Sequence, residues 1–203
     1  METASLDKVF SVDGNQGTST DGIEVNAYGQ GQCSGVTYTV PAHATIDVNF
    51  DINMQCITPD NVKALDSLIK SLLDASKQHE YDELSKKESS GGVSFFLFFS
   101  GGVKSSYSDT KHTMDKWGLS EENQQRIVDA MLKFTNEPNT YKYSGTITND
   151  KYDYSVSGNL FGIVMDCTIQ KGESHQQIRV LAPNVHMNSS DGSGSLPVVG
   201  KLY

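Results

Sequence analysis

Eleven consecutive residues, Thr45 to Gln55, alternate strictly between apolar and polar side chains. Ile46, Val48, Phe50, Ile52 and Met54 form one set; Asp47, Asn49, Asp51, Asn53 and Gln55 form the other. Successive residues of a strand point to opposite faces, so this pattern calls for a sheet packed on one side and wet on the other. A helix would scatter both sets around its circumference and bury neither. The polar set begins like a calcium loop, D-x-N-x-D, but such a loop needs glycine at its sixth position and glutamate at its twelfth. Ile52 and Thr58 stand there instead. Alternate strand residues also lie about 6.6 Å apart, too far to wrap one ion.

Shorter alternating runs extend the β reading. Ile23, Val25 and Ala27 alternate with polar residues, as do Val36, Tyr38 and Val40, with a hairpin turn expected at Pro41-Ala42. Tyr141, Tyr143 and Ile147 are expected to face Tyr152, Tyr154 and Val156 across a turn at Asn149-Asp150. After Leu160 the apolar parity changes, from even positions to Phe161, Ile163, Met165, Cys167 and Ile169. Gly158 and Gly162 flank the change, which reads as a bulge or a sharp sheet bend. Lys171-Gly172-Glu173 then turns the chain, and Ile178, Val180 and Ala182 return.

Two principal helices are expected, over 59–87 and 120–135. Thr58 can cap the first, Pro59 fits its first position, and Asp60 favours the positive end of its dipole. Val62, Leu65, Leu68, Ile69, Leu72 and Leu73 make its apolar stripe. Ser120 caps the second, with Glu121 and Glu122 in its first turn and Ile127, Val128, Met131, Leu132 and Phe134 on its buried side. A short helix from Asp109 to Trp117 precedes it, giving a helix-turn-helix outline about Gly118. An acidic first turn does not suit insertion beside phosphates, which argues against DNA.

Between the helices lies the most apolar run of the chain, Val93 to Phe99 (VSFFLFF), bracketed by paired glycines. Its leading reading is a central strand covered on both faces. Phe95, Phe96, Leu97, Phe98 and Phe99 are thus either core or, in the alternative, a segment that dips into a bilayer. A spanning strand needs about 9–11 residues, and this run is shorter. Four phenylalanines buried at about 150 Å² each contribute at most roughly 15 kcal/mol. Leu, Ile, Val and Phe supply only 47 of the 203 residues. A core this lean depends on them.

Chemistry-bearing motifs are missing from the sequence. It has no G-x-S-x-G elbow, Walker loop or dinucleotide fingerprint, and its five histidines show no metal-ligand spacing. No cofactor and no metal are expected, and the protein is read as non-enzymatic; an enzyme of unrecognised type is the remote alternative. A net charge of −9 with no basic run argues against nucleic acid. Cys33, Cys56 and Cys167 are odd in number and lack C-x-x-C spacing, so they are expected as buried thiols. The first residues carry no basic segment followed by an apolar one, which gives an expectation of a cytoplasmic protein or one exported without a cleaved signal peptide.

The ends carry the remaining signal. Asp7 to Val12 (DKVFSV) reads as a short strand, and residues 1–22 as an arm ending in a polar, glycine-rich tether. Residues 188–203 mirror this, with a tether followed by an apolar tail. The overall expectation is one α+β domain, a mainly antiparallel sheet or sandwich of about eight strands with two helices. Its expected function is that of a self-assembling structural or interaction subunit, a homo-oligomer held by terminal arms and sheet edges. Val9, Phe10, Leu196, Val198, Val199 and Leu202 are the candidate self-association residues. A membrane-active, toxin-like pore former using Phe95–Phe99 is the alternative.

Overall fold

The computed structural model describes residues 21–32, 36–53, 56–86, 94–101, 103–136, 140–189, 195–196 and 198–202. Two strands of sixteen residues, β6 (Val156–Lys171) and β7 (Ser174–Ser189), form its central ribbon, with Gly172 turning the chain at φ 58°. β1 (Gly22–Gln32) and the short β2 (Tyr38–Val40) share the outer side of β6, at Phe161–Gln170 and Val156–Gly158 respectively. β3 (Thr45–Asn53) pairs with β5 (Thr140–Thr148), which pairs with β9 (Val198–Leu202). β9 meets β7 at Asn184, and β8 (Ser195–Leu196) pairs with β7 beyond it. β4 (Cys56–Ile57) also borders β7, but in parallel, so the sheet is mixed rather than purely antiparallel.

The two expected helices are five among the described residues. α1 (Pro59–Leu72) starts as its sequence dictates: the Thr58 hydroxyl accepts from Asn61 N–H at 3.1 Å, and Pro59 opens the first turn. It stops earlier than its apolar stripe. Leu73 turns extended, and Asp74 accepts from Lys77 N–H at 2.9 Å, capping a separate α2 (Ala75–Lys86). The single helix expected over 59–87 is therefore two, folded together by a 2.6 Å Lys70–Asp82 ion pair. α4 (Tyr107–Lys116) carries a Ser106/Asp109 capping box, and α5 (Glu121–Asn136) follows as expected.

The run expected as a central strand is a helix, α3 (Ser94–Ser100). A segment apolar at every position has no period to read, and one buried all round suits either element. The decision comes from outside it: the Asp66 carboxylate on α1 accepts the first N–H groups of α3, those of Ser94 and Phe95. Those donors lack intrahelical partners, and a negative charge there also meets the positive end of the helix.

Two further expectations fail for one reason. No hairpin joins β2 to β3 or β5 to β6; each connection instead passes between sheets. Buried Asn149 holds that crossing. Its side-chain NH₂ donates to the carbonyls of Val40, Pro41 and Tyr154 at 3.3, 3.1 and 2.8 Å, and its carbonyl oxygen accepts from Tyr152 N–H at 3.2 Å.

The parity change along β6 reflects two cores on opposite faces. Val156, Leu160 and Val164 pack with Val40, Val48, Tyr143, Ile147, Met187 and Leu196 in an all-β core. Met165, Cys167 and Ile169 pack on the other face, beneath the helices, with Val62, Leu65, Ile127 and the α3 phenylalanines. The register shifts between Gly162 and Val164, as the flanking glycines indicated, but the additional residues lie on β7, around Pro183. Pro183 has no N–H to give to a ladder. Gly31 sits against this bend: a Cβ there would lie 2.9 Å from Cγ1 of Val164 and nearer still to Cγ2.

Candidate functional site

The residues singled out in the sequence divide into three groups. Phe95, Phe96, Phe98 and Phe99 are buried in α3, and Leu97 is partly buried. They interlock with one another and with α2 and α4: Phe98 lies 5.5 Å from both Tyr81 and Trp117, and Phe95 lies 4.9 Å from Phe99, between ring centroids. No described helix is long and apolar enough to cross a membrane. Val9 and Phe10 lie outside the described residues, as do Cys33 and residues 190–194 of the carboxyl-terminal tether. The tail beyond that tether forms strands within its own chain. Leu196 is buried in β8 beside Met187, while Val198, Val199 and Leu202 occupy β9 in register with Ile147, Thr146 and Tyr143.

β9 is thus an interior strand, and the path ends at β1, where Ser105 bridges Val25, and at β3. β3 is paired with β5 over all nine of its residues and has no strand on its outer side among the described residues. Its alternation reads out as the sequence requires: Val48 is buried and Ile46 and Phe50 partly so, while Asp47, Asn49 and Asp51 are exposed. Cys56 and Cys167 are buried thiols, neither of them in a disulfide. Burial pushes the Cys56 thiol up to about 12, against the favourable charge of Arg179. Burial pushes Cys167 further, and the Asp166 carboxylate adds to it. Neither is a thiolate near neutral pH.

No family model, no curated protein and no solved structure matches this chain.

A second feature had no counterpart in the sequence reading. On the upper half of the β1–β6–β7 sheet, the face turned away from the helices is a polar trough. A cavity of about 450 Å³ there is lined by Glu24, Asn26, Tyr107, Thr168, His175 and Gln177. It continues past Asn26 and Gln177 toward Asp166 and Arg179. Arg179 is committed to its cross-strand partner, donating from Nε and Nη2 to the two Asp166 oxygens at 2.7 and 2.9 Å. Thr168 is buried and donates to Asn26 Oδ1 at 2.9 Å. Asn26 is the extra residue of a bulge in β1, between Val25 and Ala27. That bulge keeps Ile23, Val25 and Tyr28 all directed into the helical core.

Tyr107 reaches the trough from α4, which is tied to β1 by the Val25–Ser105 bridge and by the Thr110 hydroxyl on the Ile23 carbonyl. Partial burial, and then the Glu24 carboxylate, push the Tyr107 phenol up to about 12. It therefore stays a neutral hydroxyl, able to donate and to accept. Alternation in β1, β6 and β7 displays Glu24, Thr168 and Gln177 as one polar set. Tyr107 is a different matter, because only the tertiary fold brings it there. Among the described residues, no three His, Cys, Asp or Glu side chains converge as a metal set.

Proposed function

We propose that the protein is a non-enzymatic interaction subunit that assembles with copies of itself by strand addition at β3. The observation behind this reading is an edge strand of nine residues whose outer side has no partner among the described residues. Unpaired backbone N–H and C=O groups make such an edge a template for another chain.

The charges on β3 select what it accepts. Two copies of β3 paired antiparallel about Asn49 would set Asp47 against Asp51 at both ends, and like charges directly opposite are destabilising. The amino-terminal segment Asp7–Val12 carries one acid and one base, and its six residues are few enough to pair with part of the edge. The arm also leaves the described chain beside β1, at the other end of the strand order from β3. A neighbour's arm on β3 joins two different surfaces, so copies either exchange arms reciprocally as a dimer or link head to tail into a ring or filament.

The carboxyl-terminal tail is not the part to delete, because β9 joins β5 to β7 in the chain's own sheet. The test is light scattering on the full chain and on a chain lacking residues 1–12. Oligomers from the full chain, a monomer from the shortened one, and binding of a residue 5–12 peptide to that monomer support the proposal. A full chain that remains monomeric over a wide concentration range sinks it, and so does an unchanged mass after the deletion.

A further inference from the structure

The trough on the open face of β1–β6–β7 is independent of the β3 edge, and its chemistry is distinct. Its polar groups are held in place by the sheet yet are scarcely used by the protein. Among the described residues, the side chains of Glu24, His175 and Gln177 make no hydrogen bond or ion pair with the chain, although they line a cavity of about 450 Å³. Asn26 spends its Oδ1 on Thr168 and keeps its NH₂ donors. A concave site of this size with a few convergent polar groups is the ordinary form of a small-molecule site.

The donor and acceptor types narrow the ligand. Glu24 opposes an anion, and the nearby guanidinium of Arg179 is already engaged by Asp166 in a two-bond pair. An apolar ligand would strip water from a carboxylate and two amides without replacing it, which opposes its binding. An amine would use acceptors alone, whereas four of the six lining side chains offer a donor: Asn26, Tyr107, His175 and Gln177. Mixed donors and acceptors, one carboxylate and one aromatic ring suit the hydroxyl groups and C–H faces of a sugar. We infer that this trough is a binding site for a short neutral saccharide, with Glu24, Asn26 and Gln177 holding its hydroxyl groups beside the Tyr107 ring.

The experiment is an amide NMR titration of the full chain with maltose, cellobiose and N,N′-diacetylchitobiose, run in parallel with butylamine and inorganic phosphate. The expected result is saturable shifts from at least one disaccharide at residues 24–26, 168 and 175–177. Gln177→Ala should weaken that binding about tenfold, as loss of a hydrogen bond to a bound polar group does. Glu24→Gln keeps an acceptor and removes the charge, so sugar binding should fall only a few-fold while any response to amine disappears. Both sites face solvent on the sheet surface, and a thermal melt confirms that the variants remain folded. Three results overturn the inference: no saturable shift from any of the disaccharides, a response to butylamine or phosphate alone, or sugar shifts untouched by Gln177→Ala.

Discussion

Asp66→Asn tests the placement of α3, because Asp66 joins three elements at one carboxyl group. It lies on α1, accepts from the Tyr81 hydroxyl of α2, and accepts from the first backbone N–H groups of α3. Burial pushes its pKa up from 3.8 to about 6; the hydrogen bonds from Tyr81, Phe95 and Ser94 oppose that, and the nearby Asp82 charge adds to it. The folded state thus holds this proton more tightly than the unfolded chain does. The associated stability is complete below pH 3.8 and is lost as pH rises through about 6. That interval, at about 1.4 kcal/mol per pH unit, gives a ceiling of about 3 kcal/mol. Solvent reaching the partly exposed carboxyl lowers the figure toward 1–2 kcal/mol, in order of magnitude.

Asparagine removes the titration and keeps an oxygen that can accept from Phe95 and Tyr81. The quantity to measure is the difference in unfolding free energy between variant and parent, at pH 4 and again at pH 7.5. Other titrating groups cancel in that comparison. Trp117, the one tryptophan of the chain, packs edge-on to Tyr81 at 6.0 Å and against Phe98 at 5.5 Å, so its fluorescence in a urea series reports on this region. The variant should gain on the parent by about 1–2 kcal/mol between the two pH values. A difference that is flat with pH, or that moves the other way, would refute the argument that burial dominates this carboxyl.

Phe98→Ala, which empties the centre of the aromatic cluster, should cost about 3–5 kcal/mol in the same urea assay. Gly31→Ala should cost about 1–3 kcal/mol through its collision with Val164, and Val164→Ala in the same chain should return part of that loss in a double-mutant cycle. Asn149→Ala leaves three carbonyls without their donor and should cost about 2–4 kcal/mol, with hydrogen exchange rising first at residues 40–45 and 149–154. An exchange pattern unchanged there would mean that the crossing is held elsewhere.

What could be read from the sequence was what neighbours along the chain decide. Thr58-Pro59-Asp60 starts a helix by itself, and the alternation of β3 needs only a sheet to lie in. Even the break in the first helix was visible in retrospect, since Asp74 is a capping residue three positions ahead of Lys77 N–H. What could not be read depends on distant partners. α3 has strand-favouring residues and no period, and its first N–H groups are met by a carboxylate 28 positions upstream of its start. Asn149-Asp150 has the composition of a hairpin turn, yet the Asn149 side chain is bound to carbonyls more than a hundred residues earlier. The trough was half legible: its strand residues show in the alternation, while Tyr107 arrives through the contact between α4 and β1.

The parity change in β6 connects these findings. A ribbon of two sixteen-residue strands offers two faces along its whole length, but the chain has too few apolar residues to cover both. It covers one face with β3, β5 and β9 over the lower half and the other with helices over the upper half. The upper half of the first face is then left to solvent, which is why Glu24, Thr168 and Gln177 are polar and why a cavity forms there. The same arrangement leaves β3 as the last strand of the path, since the lower core is closed once β3 has laid Val48 against it. A lean apolar composition therefore does more than limit stability. Distributed over opposite faces of one ribbon, it determines where the molecule keeps an open polar surface and where it keeps an open edge.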